Sequence, residues 1–159
     1  MNFPDIPTRT YAPVDPSWWN SLRDAGSTLA ALFGASFLGE TQFTVANNQS
    51  SAADITGLVF SGASVRSFEA DLQIYRNTTG GGATELAARV KLIGTYKTVA
   101  ASWEMMSTFV GDEIDAFGPG GLLLTITAAG QVQYKSHNIS GTPATSKLKF
   151  RYSTMGVET

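Results

Sequence analysis

The sequence predicts a mainly β protein: an antiparallel β-sandwich or jelly-roll-like domain preceded by an extended N-terminal arm and one α-helix. Three observations predict it. From residue 40 onward, short runs place apolar side chains at every second position. These runs are separated by Gly- and Ser-rich turns. Only the stretch from Asp15 to Gly34 carries the alternating three-and-four spacing of a helix. The expected organisation is an arm over residues 1–15, a helix over 16–34 and a β domain over 40–155.

The arm is read from Pro4, Pro7, Pro13 and Pro16, spaced so that both helix and ladder pairing are discouraged and an extended path is favoured. Phe3, Ile6 and Tyr11 interrupt it with apolar groups that a plain linker would not need, and they are expected to dock on another protein. Asp15 then offers an N-cap, Pro16 a first helical residue and Gly34 a left-handed stop, which brackets a helix from Pro16 to Phe33 about 27 Å long.

Along that helix Trp18, Leu22, Ala25, Leu29 and Leu32 follow a heptad seam, and Trp19, Gly26 and Phe33 widen it. The seam covers only about two heptads. Self-association is nevertheless preferred to packing on the chain's own sheet, because two indoles and a phenyl ring of roughly 150–250 Å² each need covering. A short trimeric or dimeric bundle would cover them at once.

In SFEADLQIY, Phe68, Ala70, Leu72 and Ile74 face one way and Glu69, Asp71, Gln73 and Tyr75 the other. ELAARVKLIG repeats the alternation with Leu86, Ala88, Val90 and Leu92, and the NTTGGGAT between these runs suits a hairpin tip. GLLLTITAAGQVQY reads as a second hairpin, with Leu122, Leu124 and Ile126 inward, a turn over 128–130, and Val132 and Tyr134 returning. KLKFRY sends Lys147, Lys149 and Arg151 outward. With QFTVAN, DITGLVF and SWEMMSTFV the expected count is about eight strands.

Composition narrows the function. The chain has 159 residues, enough for one domain and an appendage, and 43% of them are hydrophobic, enough for a real core. Eleven basic against thirteen acidic residues give a net charge of −2 without blocks of one sign, so nucleic acid and anionic membrane are not expected partners. There is no cysteine, hence no disulfide, thiolate nucleophile or thiolate metal site. The N-terminus lacks a signal-peptide pattern, and the longest apolar run, Leu29 to Leu38, is too short to span a bilayer. The expectation is a protein made in the cytoplasm that leaves, if it does, by lysis.

No catalytic constellation emerges, and neither an enzyme activity nor a cofactor is expected. His137 is the sole histidine, without a second histidine or a cysteine to build a triad or zinc site. Asp112, Glu113 and Asp115 lack the spaced ligands and central glycine of a calcium loop and read more simply as a solvated turn. The TGGGA loop lacks the Lys-Ser/Thr ending of a phosphate cradle. Sequons at Asn48, Asn77 and Asn138 would matter only in a secretory pathway. Tyr75 and Trp103 could stack on a sugar or fill an interface, although Trp103 reads more simply as core.

The stretches FTVANNQSSAADITGLVFSGASVRSFEADLQIYR, LIGTYKTVAASWEMM and ITAAGQVQYKSHNISGTPATSKLKFR cover residues 42–152 and resemble a group of small virion structural proteins of tailed bacteriophages. DPSWWNSLRDAG resembles the helix that precedes distal domains in phage fibre and appendage proteins. The resemblance implies a non-enzymatic β domain on a phage particle, trimeric, with the arm of Phe3, Ile6 and Tyr11 fixed to capsid or tail. Fibre, appendage and capsid-decoration roles all fit it. The alternative is a host-receptor module that touches a polysaccharide or protein through the loops Asn77–Thr84 and Asp112–Gly120.

Overall fold

The computed structural model of the chain describes residues 40–157. Ten strands follow one another: β1 (Thr41–Thr44), β2 (Ala53–Val59), β3 (Val65–Thr79), β4 (Glu85–Lys97), β5 (Ser102–Gly111), β6 (Glu113–Ile114), β7 (Gly118–Pro119), β8 (Leu122–Ile126), β9 (Gln131–Ser136) and β10 (Thr142–Gly156). All pairings are antiparallel. A five-stranded sheet has the order β1-β10-β3-β4-β5, a three-stranded sheet the order β2-β9-β8, and β6 and β7 form a small ribbon.

Mainly β and antiparallel is therefore right, and the rest of the expected fold class needs correction. The described residues are strand, turn and loop with no helix. The arm and the stretch expected to be helical lie outside the described residues, as do Phe3, Ile6, Tyr11, Trp18, Trp19, Leu22, Ala25, Leu29, Leu32 and Phe33. Nor is the domain a jelly roll. The strands β3, β4 and β5 run as consecutive hairpins in one sheet, and β10 returns beside β3, which is a Greek-key order. Local turn chemistry explains this: the glycines at 80–82 close a tight hairpin that sends β4 straight back along β3 instead of across to the opposite sheet. The sheets stay open, with β1 and β5 as edges of the larger one.

The alternation does place the core. Phe68, Ala70, Leu72 and Ile74 from β3, Ala88, Val90 and Leu92 from β4, and Leu148 and Phe150 from β10 are buried in one cluster with Ile55, Leu58, Leu122, Val132 and Tyr134 of the smaller sheet. Two glycines are needed to build it. Gly57, with φ of 92°, sits in an irregularity of the β2–β9 pairing that lets both Ile55 and Leu58 face inward. Gly94 lies across from Phe68, whose ring fills the space that a Cβ there would occupy. That ring stacks on Phe60 at 3.8 Å between centroids. Trp103 closes the cluster 5.6 Å from Phe68 and 5.4 Å from Tyr96. Trp103 is thus part of the core.

Candidate functional site

The chemistry-bearing residues outside the core fall in two places. The first is the end of the molecule where β3 hands over to β4, β5 to β6, β9 to β10 and β1 to β2. Antiparallel pairing brings these four connections to one end, so the loops expected to touch a host, Asn77–Thr84 and Asp112–Gly120, do share it.

A buried arginine ties that end together. Arg76 continues the inward parity of β3 and has 0% of its surface exposed. Its Nη1 donates to the carbonyls of Gly121 (3.1 Å) and Gly120 (3.3 Å), and its Nη2 to His137 O (2.8 Å) and Asn47 Oδ1 (2.9 Å). Three connections are thereby held by one guanidinium. No carboxylate pairs with it among the described residues, and burial pushes its pKa below the ordinary arginine value while the Tyr134 hydroxyl pulls the other way. An arginine remains charged at neutral pH even so, so the partial charges of four neutral oxygens must replace its water.

The residues singled out for chemistry turn out to be part of this framework. His137 is half-buried, donates its backbone N–H to Gly121 O at 2.9 Å and meets the Phe117 ring edge-on at 5.3 Å. Asp112 accepts the Ala87 N–H through Oδ2 at 2.8 Å, and its own N–H returns to Ala87 O at 2.9 Å, which extends the β4–β5 ladder by one residue. Among the described residues no three His, Cys, Asp or Glu gather closely enough to hold a metal ion. The acidic turn also proves to contain the short β6–β7 ribbon.

The second place is the outer face of the five-stranded sheet. Register puts Lys147 and Ala87 on either side of Tyr75, Lys149 and Arg89 on either side of Gln73, and Arg151 and Lys91 on either side of Asp71. Val110 of β5 lies beyond Arg89. A depression of about 450 Å³ opens among these side chains, Lys147 and Lys91 excepted, and Glu40, within the range of small-ligand sites. Arg151 donates to Asp71 Oδ2 at 3.2 Å and Lys149 pairs with Glu40 at 3.4 Å. Just outside, Lys91 pairs with Glu69 at 2.8 Å, a hydrogen bond that raises the lysine pKa. Glu69 and Asp71 are therefore cross-strand partners of cations. Tyr75 was visible from sequence as an outward aromatic; Arg89 and Lys149 were not tied to it, because only the register across three strands does that.

The edge of the same sheet is apolar. On β5, Met106 and Val110 point outward with 58% and 79% exposure, and Phe109 on the inner side still shows 38%. Met105 and Met106 thus divide between the two faces.

No family model matches the chain, and no curated protein matches it. Its strands overlap those of two crystallised phage proteins. The tailspike of Acinetobacter phage vB_ApiP_P1 is 13% identical with a TM-score of 0.37, over 76% of this chain and 21% of that one. The tailspike of Acinetobacter baumannii phage AM24 is 12% identical with a TM-score of 0.34, over 76% of this chain and 26% of that one. The chain spans about a fifth to a quarter of the length of these tailspikes. The strand pairing described above, and not these overlaps, defines the fold.

Proposed function

We propose that the chain is a non-enzymatic structural subunit of a tailed-phage virion, a homotrimeric fibre or appendage component that docks on capsid or tail through Phe3, Ile6 and Tyr11. The observation that carries the subunit reading is the edge of β5, which no strand pairs among the described residues. A ten-residue edge strand with one charged residue, no proline and apolar side chains exposed on both faces is what a solitary protein avoids. A second copy covers it. The apolar side chains Trp18, Trp19, Leu22, Ala25, Leu29, Leu32 and Phe33 add further surface that association would remove from water. The placement on a phage particle is supported by the resemblance of residues 42–152 to small virion proteins.

The test is the mass of the full chain by light scattering. A trimer is expected, falling to monomer when Met106 and Val110 are both changed to lysine, and likewise when Trp18 and Leu22 are both changed to alanine. A wild-type monomer rejects the subunit reading. Mass spectrometry of gradient-purified particles checks the virion placement: the chain should copurify with the major capsid protein in a fixed ratio, and its absence from particles rejects that placement.

A further inference from the structure

We propose that the depression on the outer face of the five-stranded sheet is a binding site for an acidic saccharide, with the Tyr75 ring as its floor and Arg89 as its carboxylate-binding group. The site belongs to the sheet face: Tyr75 and Gln73 stand on β3 and Arg89 on β4, and only its Val110 wall is shared with the β5 edge.

The charges select the ligand. Three cations and two carboxylates line the depression, and both carboxylates are already engaged: Asp71 by Arg151 and Glu40 by Lys149. Arg89 makes no ion pair among the described residues. Within the depression the surplus is therefore one guanidinium, a planar fork that matches a single carboxylate through two parallel hydrogen bonds, while Lys147 beyond Tyr75 does not line it and turns its Nζ to Thr44 Oγ1 at 3.0 Å. A phosphate would bring up to two negative charges to a site with one cation to spare, so the balance favours a carboxylate.

The neighbours of Arg89 describe the rest of the ligand. Tyr75 has 37% of its surface exposed, and across one side of it stands Ala87, whose single methyl group leaves the ring uncrowded. An aromatic ring on a sheet offers a flat apolar surface for the C–H face of a pyranose, and the phenol edge supplies a polar handle. Gln73, exposed between Arg89 and Lys149, carries both a donor and an acceptor for ring hydroxyls. Val110 gives an apolar wall on the β5 side. A flat ring and a neutral amide two residues apart on β3, with an unengaged guanidinium across from the amide on β4, fit a sugar ring that bears a carboxylate.

Isothermal titration of the full chain with a panel of short oligosaccharides of galacturonate, glucuronate and sialate tests this, each compared with its methyl ester, which keeps the ring and removes the charge. Saturable binding of at least one acid is expected, weakened about tenfold or more by esterification, since a hydrogen bond to a charged group carries that much. Arg89→Gln should erase the difference between acid and ester. Arg89→Lys keeps the charge without the fork and should retain only part of that difference, while Tyr75→Ala should weaken acid and ester alike. Circular dichroism checks that each variant is folded; the two Arg89 replacements keep each other's test usable if one is not. Equal affinity for acid and ester, saturable binding unaffected by Arg89→Gln, or no saturable binding by any member of the panel would overturn the proposal.

Discussion

Trp103 and Phe109 share one face of β5, yet the first is buried and the second is open to solvent. The two halves of this strand differ in cover rather than in chemistry. Around Trp103 stand Phe60, Phe68 and Tyr96, and the turn at Gly130 closes against its indole. Phe109 lies outside that cluster. Among the described residues, five strands facing three leave part of the larger sheet's flank without an opposite layer, and an apolar side chain there stays exposed however greasy it is. Burial is thus a property of the second sheet as much as of the residue, and the half of β5 that the described residues leave open is where further cover can be added.

The sharpest way to break this comparison is to truncate both aromatic residues. Trp103→Ala should lower unfolding free energy by about 3–5 kcal/mol, the cost of emptying a packed aromatic site. Phe109→Ala should cost less than about 1 kcal/mol in the monomer, because surface positions away from packed contacts are tolerant. Urea denaturation of both variants at a concentration where the chain is monomeric checks this; equal losses would show that the far half of β5 is covered after all. Trp103→Phe sharpens the point further. The indole Nε1 is buried with no hydrogen-bond partner among the described residues, so replacing it by a phenyl ring loses volume but no hydrogen bond, and the cost should fall well below that of alanine.

Arg76 carries the same comparison to charged groups. Its guanidinium is covered completely and holds the turn at Gly120–Gly121, the backbone at His137 and the side chain of Asn47. Arg76→Leu removes a desolvated charge, which helps, but takes the guanidinium from the carbonyls of Gly120 and His137, which costs more, while Gly121 O keeps the His137 N–H and Asn47 Oδ1 the Ile139 N–H. The expected net loss is about 2–4 kcal/mol. Its signature is local: amide exchange should accelerate at residues 120–121 and 137–139 while the Phe60–Phe68–Trp103 cluster keeps its protection. Uniform acceleration would mean that Arg76 is merely part of the global core.

What could be read from the sequence follows the range of the interactions that decide it. Alternation is local, so Phe68 to Ile74 and Leu86 to Leu92 announced their faces, and the glycines at 80–82 announced the hairpin between them. Carrying the parity of β3 one step past Tyr75 would also have put Arg76 inside, but a charge at an inward position reads as the end of a strand unless its acceptors are known. Those acceptors come from residues 47, 120, 121 and 137, scattered along the chain. Strand order is equally non-local: nothing near β10 says that it will insert between β1 and β3. The depression on the outer face needs Tyr75, Arg89 and Lys149 in register across three strands, so its members appeared only as separate outward residues. The expected helix and arm fall outside the described residues, and the all-strand domain gave no place for a helix of its own.

The smallest effect is expected on the open face, at Lys91 and Glu69, where the solvent-exposed pair is the opposite extreme from Arg76. The hydrogen bond to Glu69, and then the charge of Glu69, raise the Lys91 pKa above its ordinary 10.5. A base whose pKa is higher in the folded state than in the unfolded one stabilises the fold fully below the unfolded value and loses that contribution as pH rises through the folded value. The stability difference between wild type and Glu69→Gln should therefore be flat across neutral pH and narrow only as pH climbs past 10.5, as the lysine discharges. Exposed pairs are also screened by salt, so the same difference should shrink when ionic strength is raised toward about 1 M, where the Debye length is about 3 Å. Arg76→Leu should not show the salt dependence, because its charge is shielded by protein. A salt-insensitive difference at Glu69 would mean that this face is covered by another part of the assembly, and the contrast between open and covered charge would have to be redrawn around that contact.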